Sequence, residues 1–320
     1  MNVIFYIVYV IMPIAVLLRV WLANRSNFWM WIIENALFTV VAADLFLTAP
    51  WPLTFGFYGR YVFIGLYLML LGRSFLRLRK HRRDEQPKKK KILLSGLCLS
   101  LTALFAFRVS LAIPSQVMPN ATALEFPLKG EHFYILQGGP TVVLNHHNPI
   151  KAQQFALDIL QNDSWGFRSK SWIPTKNTDF NIYGASIHSP CDGVIVKAID
   201  GQDDQSPRHM DESKPAGNFL AIKCANQDVV ILLAHLKKGS LRVKDGDRVV
   251  AGQKLARVGN SGHTSEPHLH IHAVKSGYKN LLYDGESVPI SFQGRQLARN
   301  DTLSSACIGS RESVSSSPIA

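Results

Sequence analysis

Gly259-Asn260-Ser261-Gly262-His263-Thr264-Ser265-Glu266-Pro267-His268-Leu269-His270-Ile271-His272 is the stretch whose reading decides the fold. It reads as a Gly/Ser turn, a proline and then a strand on which three imidazoles alternate with Leu269, Ile271 and Ala273. Successive strand side chains point to opposite faces, so His268, His270 and His272 share one face and the aliphatic residues pack beneath. Same-face neighbours stand roughly 7 Å apart, which lets two imidazoles reach one metal ion and its bound water.

Such a strand needs a sheet around it. Short aliphatic or β-branched runs at 194–196, 219–222 and 229–233 are bounded by Asp192-Gly193, Gly217-Asn218 and Asn226-Gln227-Asp228, the punctuation of strands and tight turns. Residues 243–253 read as strand, Asp-Gly turn, strand and turn, continued by 255–258. The pattern predicts an all-β domain over residues 125–290, with a polar surface loop at 201–215. From 291 to 320, serine-rich composition predicts a flexible tail.

Residues 1–112 are different material. Apolar stretches at 3–23, 29–49, 55–72 and 92–112 predict an all-α region of about four transmembrane helices, each close to the length that crosses ~30 Å of hydrocarbon. No basic segment precedes the first stretch and no small-residue cleavage site clearly follows it, which argues against a cleaved signal peptide. The chain of 320 residues has a formal charge of +12, and residues 73–91 alone hold ten Lys or Arg against two acids. Between two apolar stretches, such a run reads as a cytosolic loop rather than a nucleic-acid surface. The N-terminus and everything after a linker at 113–124 then lie outside the cytoplasmic membrane. Asp44 and Arg108, near the outer ends of their helices, are positioned to pair, while Glu34 lies where it can snorkel. Cys191 and Cys224 flank adjacent candidate strands and either form a disulfide in an oxidising compartment or stay as buried thiols; Cys98 and Cys307 lie apart.

Three features join the histidine strand as candidates for chemistry. His235 ends the apolar run from 229. Asp158 stands among apolar residues in Phe155-Ala156-Leu157-Asp158-Ile159-Leu160, and burying a carboxylate demands a cation or strong hydrogen bonds. His146 and His147 form a pair in Asn145-His146-His147-Asn148-Pro149.

Taken together, Ser189-Pro190-Cys191-Asp192-Gly193-Val194-Ile195, Gly217-Asn218-Phe219-Leu220, Leu233-Ala234-His235-Leu236, residues 243–253, Val258-Gly259-Asn260-Ser261-Gly262 and Pro267-His268-Leu269-His270 resemble the catalytic domain of the M23 (lysostaphin- and LytM-like) zinc metallopeptidases. The resemblance covers about half the chain and none of residues 1–112. It implies a small antiparallel β fold with Zn2+ in an open groove, acting on peptidoglycan peptides. It also implies that His270 and Asp158 are metal ligands and that His235 and His268 flank the bound water and the substrate carbonyl.

The sequence departs from the family at Gln154, which stands where its HxxxD motif has the first histidine. Either Gln154 completes a weaker site, or His147 (less readily His146) swings in as the third ligand. Otherwise the domain is a catalytically silent wall-binding or hydrolase-regulating module. His272 has no family role and reads as a neighbour behind the metal ligands. A carrier or phosphotransferase reading of 243–253 fails, because the first needs a displayed lysine beside methionine and the second a cytosolic domain.

Overall fold

Long apolar runs satisfy their backbone polar groups within themselves only by coiling into helices. The computed structural model describes residues 3–23, 28–78, 87–113, 118–277 and 284–304. The first rod comprises α1 (Val3–Tyr6), a π-helical turn (Ile7–Ile11) and α2 (Met12–Leu22). The wide turn lies just before Pro13, whose missing N–H interrupts the ordinary ladder. Three more rods follow: α3 (Phe28–Thr48), α4 (Gly59–Leu78) and α5 (Lys88–Ala112). All four are long and apolar enough to cross a membrane. On α5, Ile92, Leu93 and Phe107 are 73%, 76% and 62% exposed. A helix apolar on its open faces is at home in an apolar solvent.

The third rod starts and ends later than the apolar stretch 55–72 suggests. Pro50 and Pro52 stop α3 and hold a 3-10 turn at Trp51–Leu53, so the next helix begins only at Gly59. Arg108 pairs with Asp44 across helices at 3.2 Å, as expected. Glu34 does not snorkel: it accepts a 2.8 Å hydrogen bond from Arg19. Much of the basic run, residues 79–86, lies outside the described residues.

The β domain contains β1 (Thr122–Leu124), β2 (Phe133–Gln137), β3 (Leu157–Gln161), β4 (Ser186–His188), β5 (Gly193–Ile199), β6 (Asn218–Cys224), β7 (Val229–Leu236), β8 (Arg248–Val249), β9 (Lys254–Arg257), β10 (Leu269–Lys275), β11 (Ser287–Val288), β12 (Ile290–Phe292) and β13 (Thr302–Leu303). The main sheet runs in the order β13-β2-β3-β10-β7-β6-β5-β8, with β11 also paired to β10. Its pairings are antiparallel. Two small pairs, β1 with β12 and β4 with β9, close the core. Ile159, Leu220, Ile222, Ile231, Leu233, Leu269 and Ile271 fill that core from the inner face. Cys191 and Cys224 form a disulfide. Residues 241–247, read above partly as a strand, carry no strand, and the ladder there is only β8.

The folded domain extends past residue 290, which corrects the flexible tail expected from 291. Leu303 pairs with Phe133 at the sheet edge, and Phe292 is fully buried. Serine-rich composition dominates the reading of that segment, whereas two-residue edge strands leave no periodic signal. The end of the tail, residues 305–320, lies outside the described residues.

Residues 297–303 also bind the β domain to the helices. Arg299 donates from Nη1 to the Thr48 carbonyl at 2.9 Å, from Nε to the Leu144 carbonyl at 3.1 Å, and from Nη2 to Gln137 Oε1. Asn300 donates to the Leu47 carbonyl at 2.6 Å, and Thr141 to the Leu111 carbonyl at 2.9 Å. Gly166 accepts from the Phe57 amide at 2.7 Å. These contacts all fall at the α3–α4 end of the helical region and the C-terminus of α5, opposite the ends that flank the basic run. Arg299→Ala removes a charged donor from buried carbonyls and is expected to cost on the order of 3 kcal/mol. Thermal unfolding of the full chain in detergent checks this, and an unchanged midpoint would show that the clasp carries no stability.

Candidate functional site

The site is built at the centre of the sheet. On β10, His270 lies directly opposite Asp158 of β3 on one side and Ala234 of β7 on the other. Opposed residues share a face, and His270 Nδ1 stands 3.0 Å from Asp158 Oδ1. Its other nitrogen, Nε2, lies 2.9 Å from His272 Nδ1. His272 therefore orients the ring from behind, an arrangement typical of metal-binding imidazoles.

Strict alternation would send His235, next to Ala234, to the opposite face. Its backbone instead takes φ +61°, a left-handed conformation that costs a non-glycine residue of order 1–2 kcal/mol. The turn brings its ring centroid to 4.8 Å from His268 and 5.8 Å from His270. His235 Nδ1 sits 2.9 Å from the Ser261 carbonyl, so that nitrogen carries the proton and Nε2 is left as the acceptor. Gly217 permits this approach, since a Cβ there would fall 2.2 Å from the Ser261 oxygen. His268 Nδ1 lies 2.9 Å from the Glu266 carbonyl, and its Nε2 is 3.5 Å from Asp158 Oδ1.

The fourth imidazole comes from a turn. Asn145 is fully buried, and its amide donates to the carbonyls of Gln154 and Ala156 at 3.2 and 3.1 Å. Its Oδ1 accepts the His147 backbone amide at 3.1 Å. So held, His147 Nε2 stands 3.1 Å from both Asp158 oxygens. His146 packs on His147, and the ligand atoms of His146, His147 and Asp158 lie within 4.8 Å of one another. Gln154 has helical backbone angles in the turn before β3 and is not among the residues lining the cleft.

Burial acts to raise the pKa of Asp158, but His147 and His268 hold it well below the usual carboxylate range. Burial opposes a proton on His268 as well, yet Asp158 and the Glu266 carbonyl raise it above the ordinary imidazole value. Burial and the neighbouring imidazoles push His235 well down, and burial above all takes His270 down to about 3. One ionised carboxylate among buried imidazoles, two of them with strongly depressed pKa values, is a donor set that suits a divalent ion such as zinc.

Around this cluster is a cleft of 550 Å³. One wall is the 201–215 segment, expected above as a surface loop; Met210 and Pro215 line the cleft. That segment is strapped to the Gly/Ser turn by backbone bonds from Gln205 to Asn260, Arg208 to Ser265 and Asp211 to Gly262. Another wall comes from the helical region: Phe5, Tyr9, Pro50 and Leu53. Neither contribution was visible in the sequence, because neither segment carries a motif. Behind the cluster, Arg168 Nε donates to both Glu266 oxygens at 2.9 and 3.0 Å and fixes the turn that presents His268.

Residues 174–281 match the model of peptidase family M23. The match contains His235, His268 and His270 and leaves His147, Gln154 and Asp158 before its start. The peptidoglycan DD-endopeptidase ShyA of Vibrio cholerae is 32% identical over 111 residues, which are 34% of this chain and 22% of that protein. The chain thus spans about a fifth of the curated relative it matches. A zinc-containing peptidase from Vibrio cholerae is 19% identical, covering 57% of this chain and 39% of that one, with a TM-score of 0.28. The catalytic domain of lysostaphin from Staphylococcus simulans is 20% identical, covering 38% of this chain and 86% of that one, with a TM-score of 0.24.

Removing Arg168 would strand the Glu266 carboxylate in a buried position, with side-chain exposures of 3% and 11% for the pair. Arg168→Met is expected to lower stability by about 3–5 kcal/mol. Glu266→Gln with Arg168→Met should recover part of that loss in a denaturation series, and no recovery would show that the pairing is not the cause.

Proposed function

We propose that the chain, whose residues 174–281 match the model of peptidase family M23, is a membrane-embedded zinc endopeptidase that cleaves peptidoglycan peptides outside the cytoplasmic membrane. The observation that carries this reading is the meeting of Asp158 with His147 and His270 at 3.1 and 3.0 Å in an open cleft. In this reading Asp158, His270 and His147 hold the metal, and His147 takes the place that Gln154 leaves vacant. Zinc held by three protein ligands keeps a position for water, lowers its pKa and polarises a carbonyl.

The chain's own groups handle the protons. His235, with Nδ1 engaged by Ser261, accepts at Nε2. His268, with Nδ1 on the Glu266 carbonyl at 2.9 Å, presents its ring to the cleft, where a proton on Nε2 would meet the developing oxyanion of the substrate. Asp158 faces both partners and balances the positive charge gathered there.

Location outside the membrane is supported by the disulfide, since such bonds persist in oxidising compartments. It is supported too by the contacts between domain and helices, which lie at the helix ends away from the basic run. The name of the matched Vibrio protein supports cell-wall peptides as the substrate class. A silent wall-binding module of the same fold is the alternative that the departure at Gln154 keeps in view.

Metal analysis of the purified full chain tests the ligand set. Bound zinc should approach one per chain in the parent and in Gln154→Ala, and should be lost in His147→Ala and His270→Ala. His235→Ala and His268→Ala should keep the zinc while cleavage of cross-linked muropeptides falls by about 10²–10⁴-fold. Zinc retained by His147→Ala but lost by Gln154→Ala would reverse the ligand assignment. A parent chain with neither zinc nor cleavage would favour the silent module.

A further inference from the structure

Residues 163–173 form a loop of which the site above uses only Arg168, through its pair with Glu266. Asp163 Oδ1 accepts the amides of Trp165 and Phe167, both at 2.9 Å, which fixes the loop's shape. That shape turns Trp165 outward, 78% exposed, and Trp172 and Ile173 follow at 58% and 55%. Three large apolar side chains on one short loop are an unusual thing to offer to water.

The same loop is seated on the helical region. Gly166 accepts the Phe57 amide, and a Cβ on Gly166 would fall 2.8 Å from that nitrogen. The Phe167 ring packs on Gly56, whose Cβ would lie 3.1 Å from it. The Trp172 indole donates to the Thr54 carbonyl. Phe57 is two residues from the start of α4 at Gly59, where the membrane-length apolar stretch begins. Trp165 is one residue from Gly166, so its backbone lies within about 4 Å of that contact along the chain. Trp165 is therefore level with the outer end of the helices. Tyr58, 48% exposed, stands at the same level, and Lys170 on the loop itself and Lys176 beyond it gather around Asp179, leaving one positive charge in excess. Tryptophan and tyrosine favour the zone of lipid headgroups, and lysine favours an anionic one.

We propose that residues 163–173 are embedded in the outer interface of the bilayer through Trp165, Trp172 and Ile173, and that they hold the peptidase cleft down on the membrane surface. The inference rests on the membrane-spanning reading of the helices but not on catalysis. Its consequence is a position: a cleft walled by Phe5, Tyr9, Pro50 and Leu53 opens close to the headgroups and meets peptides carried near them.

Full-length protein with Cys98→Ala and Cys307→Ala, keeping the disulfide, carries a single probe cysteine as Trp165→Cys, Ile173→Cys or, as a control on an exposed residue of the β8 edge, Val250→Cys. Each is labelled with an environment-sensitive fluorophore and reconstituted into phosphatidylcholine–phosphatidylglycerol vesicles containing shallow-brominated lipid. Labels at 165 and 173, read independently, should emit further to the blue and be quenched by the brominated lipid several-fold more than the label at 250. Equal quenching at all three positions overturns the proposal. Shielding that appears only when muropeptides are added also overturns it, and assigns the tryptophans to glycan contact instead. Extraction of the protein from the vesicles by alkaline carbonate would remove the membrane-spanning reading itself, a result distinguishable from the other two.

Discussion

The structure depends on one buried charge. Asp158 is 3% exposed, and taking a carboxylate out of water carries a penalty of several kcal/mol. His147, His270 and His268 offset it from three directions, at 3.1, 3.0 and 3.5 Å. Their cooperation requires β3 and β10 to pair with Asp158 opposite His270, and a slip of one residue would turn the carboxylate into the apolar layer. Register, core and candidate metal centre are therefore one constraint seen at three scales. The left-handed backbone of His235 belongs to the same constraint, since it spends local stability to bring a further imidazole onto the face where charge is gathered.

A second constraint joins the two halves of the chain. Apolar helices solve their own backbone hydrogen bonding, so their ends are where carbonyls remain to be satisfied. The β domain supplies donors to several of them: Arg299 and Asn300 to the end of α3, and Thr141 to the end of α5. The domain thus does not hang from a spacer. It closes over the helix ends, and the cleft acquires part of its wall from residues that a separate soluble domain would lack.

Much of this was readable from the residues. Apolar length located four helices to within a few residues at most boundaries, and short aliphatic runs between turn residues located β5, β6 and β7. Alternation of His268, His270 and His272 placed them on one face before any coordinates did. What escaped reading lacked a period or a motif. The two-residue strand β13 and the Arg299 clasp lie in a segment whose composition resembles a disordered tail. Pro50 and Pro52 moved the start of α4 by more than apolar content implied. His147 stood beside Gln154 and His146 as a candidate third ligand, because whether a side chain in a turn comes near Asp158 depends on how Asn145 folds that turn, and no sequence spacing encodes it. The aim of His235 depended on a single backbone angle.

The most direct measurement is X-ray absorption at the zinc edge of the zinc-loaded full chain. Two imidazole nitrogens and one carboxylate oxygen at about 2.0–2.1 Å from the ion are the expected result. A shell holding one imidazole or none in the parent chain would contradict the joining of Asp158, His270 and His147 around a single ion.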